Sequence, residues 1–203
     1  MTYSPRKAWI RATVYFVACW VIAWASGALG AILNRPIFSQ STGSHLLWII
    51  LTIICTAVIV VGYGVIWPKG TLTHGRPLSW SAVLLFGLLW GLSEGLLFVS
   101  VWWLVGRFVE NGWLVGIITF LILSSYKGVW HSQYWDIYVS PEHNIEEWNM
   151  PKVLYAHTPN LIVTLTHLTL FSSMGLFILW QTIALMLSAY FMHFPSPFEP
   201  ETS

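Results

Sequence analysis

Between Trp130 and His167 the chain carries four of its seven histidines and four of its eight acidic residues: His131, Asp136, Glu142, His143, Glu146, Glu147, His157 and His167. Imidazole and carboxylate are the ligand set for zinc, iron or copper, so a transition-metal site is the first chemistry to expect here. His131, His143, His157 and His167 are then the ligands, with Asp136 a second partner orienting an imidazole. Glu146 or Glu147 serves as a further ligand or as general base. Such a site would act on a lipid-like substrate through a metal-activated water or oxygen species. His167, on an otherwise apolar segment, is alternatively an axial ligand to a haem or pigment in an electron-transfer subunit.

The spacing is loose. There is no HExxH and no paired ExxH pattern, nor the run of HxxxH and HxxHH boxes expected of a membrane desaturase or hydroxylase. The stretch from Trp130-His131 through Ser140-Pro141-Glu142-His143 resembles a copper-site segment in the C subunit of membrane methane and ammonia monooxygenases. That family has an Asp or Asn four residues before its first histidine. This chain has Lys127 there, a cation that repels a metal, so membership is not assigned. Plainer roles stand beside each functional one. His131 could anchor a helix end, the Glu142/Glu146/Glu147 face could simply be solvated, and His157 could bond loop carbonyls.

Glu94 is a separate candidate. It lies near the middle of an apolar segment, where a carboxylate costs several kcal/mol unless it is protonated, paired or hydrated. Gly91 and Gly95 flank it on the helix, so it points into a bundle rather than into lipid. It could be a ligand, a proton relay or a substrate anchor, or a protonated carboxyl bonded to a neighbouring hydroxyl. No Lys or Arg is expected near the midplane of another span to pair with it. Its depth sets it roughly 10 Å from the histidine layer, by the rise of a helix.

The elements that must hold these groups follow from composition. Of the 203 residues, 56% are hydrophobic and 8% charged, against roughly 25% charged in soluble domains. The fold class expected is all-α, a polytopic membrane helix bundle forming a single domain. About five apolar segments run over 9–33, 46–67, 80–105, 113–130 and 160–192, long enough to cross a core of about 30 Å. They are apolar on all sides, which excludes a β-barrel. The first is too long for a signal-peptide core. A net charge of +1 with no basic patch argues against a nucleic-acid partner. Cys19 and Cys55 lie inside apolar segments, without CxxC spacing.

Orientation follows from the cations. With the N-terminus cytoplasmic, Arg6, Lys7, Arg11, Lys69, Arg76, Lys127 and Lys152 fall inside and only Arg35 and Arg107 outside. The C-terminus is then outside, and the 131–159 connection is cytoplasmic. That connection should hold a short helix from Pro141 to about Asn149, stopped by Pro151. Thr158-Pro159 reads as the start of the last span. Because 160–192 is overlong, its first turns should protrude and bring His167 to the level of the other histidines, unless the helix breaks near Ser172-Ser173-Met174-Gly175. Gly87, Gly91 and Gly95 make a close-packing face open to a partner helix, as do Ala23, Gly27 and Ala31. A non-enzymatic assembly subunit, docking through such faces and the 136–159 loop, is the third expectation. Membrane lipid is a partner in every case.

Overall fold

Long stretches without charge leave the backbone only its own groups to bond with, and helices satisfy them. The computed structural model describes residues 5–35, 37–38, 44–71, 76–134 and 145–196, without the side chains of 5, 8 and 128–134. Among these there is no strand. The helices are α1 (Pro5–Ala25), α2 (Ala28–Leu33), α3 (His45–Ile66), α4 (Trp80–Val105), α5 (Gly112–Tyr134), α6 (Thr158–Phe171) and α7 (Met174–Phe191). Three of them, α3, α4 and α7, are long and apolar enough to cross a membrane.

The helices sort by what surrounds them. Only 22% of the most apolar stretch of α3 is buried, and Ile53, Ile54, Val60, Val61 and Val65 all face outward. Apolar residues on the outside at this density need lipid or a partner, not water. In α4, Ser93, Glu94, Gly95, Leu96, Phe98, Val99 and Ser100 are buried, so it is the central helix. It packs on α1, α5 and α7, while α6 packs on α3 and α5.

The glycine face of α4 is filled from within the chain. A Cβ at Gly91 would lie 2.8 Å from the Thr182 Cα, and one at Gly95 2.9 Å from the Ile178 Cα. Backbone-to-backbone approach of α4 and α7 therefore requires glycine at both places. This face is occupied by α7 and is not open to a partner helix.

Three expected elements are differently built. The first segment breaks at Ser26-Gly27, where Gly27 adopts a positive φ of 77°, and resumes as α2. The last segment breaks at Ser172-Ser173, with Ser172 left-handed at φ 52°. That break absorbs the excess length, so Asn160, Leu161, Thr164, Leu165 and His167 do not protrude but are buried in the bundle.

Third, α6 begins at Thr158 with Pro159 in its first turn, as expected, but Pro151 does not stop the helix before it. A 3-10 turn (Glu146–Trp148), a helical turn (Asn149–Lys152) and a wide π turn (Val153–His157) lead without interruption into α6. Proline at 159 has no N–H and crowds the carbonyl four residues back. The π turn relieves this: the Thr158 N–H reaches the Val153 carbonyl, and its hydroxyl donates to the same oxygen at 2.9 Å.

Chain ends meet at one end of the bundle. The Trp9 indole donates to the Pro195 carbonyl at 3.2 Å, and Arg76 to the His193 carbonyl at 3.2 Å. Ile145 donates to the Gly70 carbonyl at 2.7 Å, and Lys69 sits 5.4 Å over the Trp148 ring. The start of α1, the end of α3, the start of α4, the lead-in to α6 and the end of α7 share this level. Residues 194–196 return to the side where α1 begins. The break at Ser172 is the cause, because it turns one overlong segment into two antiparallel helices.

Replacing Gly95 by Val should separate α4 from α7 and cost about 1–3 kcal/mol, the usual range for overpacking. Gly30→Ala, where nothing lies within 4 Å of the added Cβ, should be close to neutral. Thermal unfolding of both variants in detergent checks the contrast.

Candidate functional site

Antiparallel α4 and α5 are joined by the short turn 106–111, which sets Glu94 opposite the stretch leading to Lys127. Side chains on a helix lean toward its N-terminus. On antiparallel neighbours Glu94 and Lys127 therefore lean toward each other, and the long lysine stem spans the rest. The two form an ion pair between Lys127 Nζ and Glu94 Oε1, with both side chains buried. This overturns the expectation that Glu94 has no cation within reach and that Lys127 is an interfacial charge.

The pair has polar company from other helices. Tyr15 of α1 and Tyr126 of α5 lie within the field of Glu94 and are joined by a 3.0 Å bond from the Tyr126 hydroxyl. Tyr63 of α3 also lies within that field, and His157 lies within that of Lys127. Tyr63 and His157 Nδ1 are 3.0 Å apart. Asn160 Nδ2 donates to the Tyr63 hydroxyl at 3.4 Å and to Gln181 Oε1 of α7 at 3.5 Å. Six helical passes thus contribute to one buried polar layer.

Its backbone is unusual too. Tyr63 lies in a π turn at Gly62–Ile66 and His157 in the one at Val153–His157, while Glu94 follows a third at Gly87–Gly91. Wide turns of this kind are rare and concentrate at functional sites. Two of them pack together, for a Cβ on Gly62 would lie 3.3 Å from the Ala156 Cα. The wide turns shift Tyr63 and His157 out of the regular helical phase and into contact.

Four buried atoms of this layer have no hydrogen-bond partner among the described residues: Glu94 Oε2, His157 Nε2, Asn160 Oδ1 and Gln181 Nε2. Leaving a buried polar atom bare costs about 1–3 kcal/mol. Four such costs would approach the net stability of a whole domain, about 5–15 kcal/mol.

Of the histidine set expected from the sequence, the two whose side chains are described, His157 and His167, are not drawn together. His157 and His167 are ten residues apart on one continuous helix, about 15 Å by its rise, whereas ligands of one metal ion sit about 2 Å from it. Both ring nitrogens of His167 are engaged, Nδ1 with the Ser173 hydroxyl at 2.6 Å and Nε2 with that of Thr52 at 3.0 Å. Trp180 and Phe171 close on its ring with centroids at 4.9 Å, and Trp48 at 5.9 Å. His167 therefore stitches the break between α6 and α7 to α3, and an axial bond to a haem would require undoing one of those contacts.

Glu146 and Glu147 are exposed. His131 follows Lys127 by four residues on α5, while Asp136, Glu142 and His143 lie outside the described residues. Among the described residues no three of His, Cys, Asp and Glu converge on a point that could hold a metal. Sequence reasoning missed Lys127, Tyr63, Asn160 and Gln181. It also missed Lys152, fully buried with its ammonium donating to the Thr71 hydroxyl at 3.2 Å. Comparison with family models, with curated proteins and with solved structures gives no match.

Removing one member of the ion pair, as Glu94→Ala or Lys127→Ala, should cost about 3–5 kcal/mol because it strands a buried charge. The double variant Glu94→Leu/Lys127→Met should recover most of that loss, since an apolar pair needs no compensation. Denaturant unfolding of the three proteins in detergent reads the difference.

Proposed function

We propose that the chain is an integral membrane protein that carries out acid–base chemistry at the centre of its bundle. Glu94 is the group that gains and loses the proton, Lys127 is its counter-ion, and His157 is the neighbouring acid–base partner. The buried Glu94–Lys127 pair carries this reading. A pair kept only for architecture is expected to have its remaining lone pairs satisfied. Here Glu94 Oε2 and, within the field of Lys127, His157 Nε2 stand open among the described residues.

The membrane setting draws support from the outward apolar faces of α1, α3 and α5. In this reading α1, α5 and α6 complete a bundle around the three long apolar helices. Arg6, Lys7, Arg11, Lys69, Arg76 and Lys152 belong to the end that holds Trp9 and Pro195, which favours that end as cytoplasmic. Both chain ends are then on the cytoplasmic side.

A metal-dependent enzyme acting on a lipid-like substrate is the second reading. One observation favours it: His157 has Nδ1 tied to Tyr63 and Nε2 open, the arrangement of a metal-binding imidazole with its supporting partner. His131, Asp136 and His143 would be the other ligands. Lys127 repels a metal there, though Glu94 offsets much of its charge.

Infrared difference spectra of the detergent-purified protein, taken from alkaline to acidic pH, test the first reading. A carboxyl band should grow in as the pH falls, vanish in Glu94→Gln, persist in Glu110→Gln and move along the pH axis in Lys127→Met. Indistinguishable wild-type and Glu94→Gln spectra would reject it. Metal analysis of the same preparation decides the second reading. Stoichiometric zinc, iron or copper that His157→Ala loses supports it, and absence of all three sinks it.

A further inference from the structure

The open atoms of the polar layer are chemically matched. Tyr63 accepts a hydrogen bond from Asn160 and pairs with His157 Nδ1, as donor or as acceptor according to the imidazole tautomer. A neutral imidazole accepting at Nδ1 carries its proton at Nε2. The unpartnered His157 Nε2 is a donor in that tautomer and an acceptor in the other, and the unpartnered Gln181 Nε2 is a donor. Glu94 Oε2 and Asn160 Oδ1 are acceptors. Donor and acceptor atoms thus both stand bare in one layer, on α4, on α7 and on the helix that runs through the π turn into α6.

We infer that these four atoms hold a small uncharged guest that both donates and accepts hydrogen bonds, namely internal water, and that it bridges Glu94 to His157. The inference rests on the acid–base reading of this layer and names the ligand through which the two groups communicate. Charge balance selects a neutral guest, because Glu94 and Lys127 already offset each other. Enclosure selects a small one: Glu94, His157, Asn160 and Gln181 are all at most 2% exposed. Internal water is found where two to four polar partners converge in a buried space; Asn160 lies within bond reach of Tyr63 and Gln181, and Tyr63 of His157, while Glu94 acts on Tyr63 through its charge. The same guest accounts for why Asn160 and Gln181, which carry no charge and lie among apolar residues, are amides at all.

A density map of the full chain in a nanodisc, at a resolution that shows ordered water, is the direct test. A peak within hydrogen-bond reach of both Glu94 Oε2 and His157 Nε2 supports the inference. Dry apolar contact around both atoms overturns it. Gln181→Leu provides a second measurement. If the guest is present, the variant should lower the unfolding midpoint by about 2–8 °C, the shift expected for a loss of one or two hydrogen bonds at this chain length. It should also move the Glu94 infrared band along the pH axis. If the atoms are bare, the variant loses only the bond from Asn160 to Gln181 and leaves the band unmoved, which rejects the guest while the acid–base reading stands. A lowered midpoint and a bridging peak with no Glu94 band in any variant would keep the guest and reject the acid–base reading.

Discussion

A carboxylate and an ammonium below the surface of an apolar bundle can exist only as each other's partner. Taking either from water costs several kcal/mol even after relaxation, and mutual attraction at low dielectric repays it only when the geometry is right. Glu94 and Lys127 therefore constrain everything near them. The turn between α4 and α5 must be short enough to set the two helices antiparallel and side by side. Their rotation must point both residues inward. A slip of one turn between the helices would strand two charges, so the pair specifies register at the expense of stability, as buried polar groups do in coiled coils.

Once α4 is central, the rest follows from close approach. Gly91 and Gly95 let α7 lie against it backbone to backbone, and this brings Gln181 into the polar layer. The break at Ser172 makes that possible, since without it α7 would continue away from α6 instead of folding back beside α4. His167 secures the break by bonding Ser173 from one nitrogen and Thr52 from the other. What looks in the sequence like a candidate ligand is, in three dimensions, the clasp of a helical corner.

Legibility tracks how local each signal is. The third segment, 80–105, has the bounds of α4 because an unbroken apolar run reports a helix directly. The inward aspect of Glu94 was legible for the same reason, with glycines one and three residues away on the same helix. Lys127 was not, because counting charges at span ends treats a lysine near a boundary as interfacial. The informative quantity was register: residues 94 and 127 lie at similar distances from the 106–111 turn, and side chains on antiparallel helices lean toward each other. The helical lead-in before Pro159 was hidden for a related reason. Proline is a start signal when the helix before it ends, and only a wide turn lets the helix run through it. Tyr63, Asn160 and Gln181 carry no sequence signal at all, since each is a polar residue in an apolar run whose partners are remote in the chain.

The polar layer and the wide turns have one origin. A regular α-helix repeats its faces every 3.6 residues, so a stretch whose outward face must meet lipid has limited freedom to present a chosen polar group inward. Inserting a residue into one turn resets the phase locally without ending the helix. In this bundle that reset occurs beside Tyr63, beside His157 and just before Glu94. Each wide turn gives up regular hydrogen bonding, and two of the three begin at a glycine that weakens the helix further. Locally unfavourable choices that recur around one set of buried polar groups are the pattern expected where a fold yields stability to a site. The three wide turns and the four open atoms therefore mark the same place, one by backbone and the other by side chain.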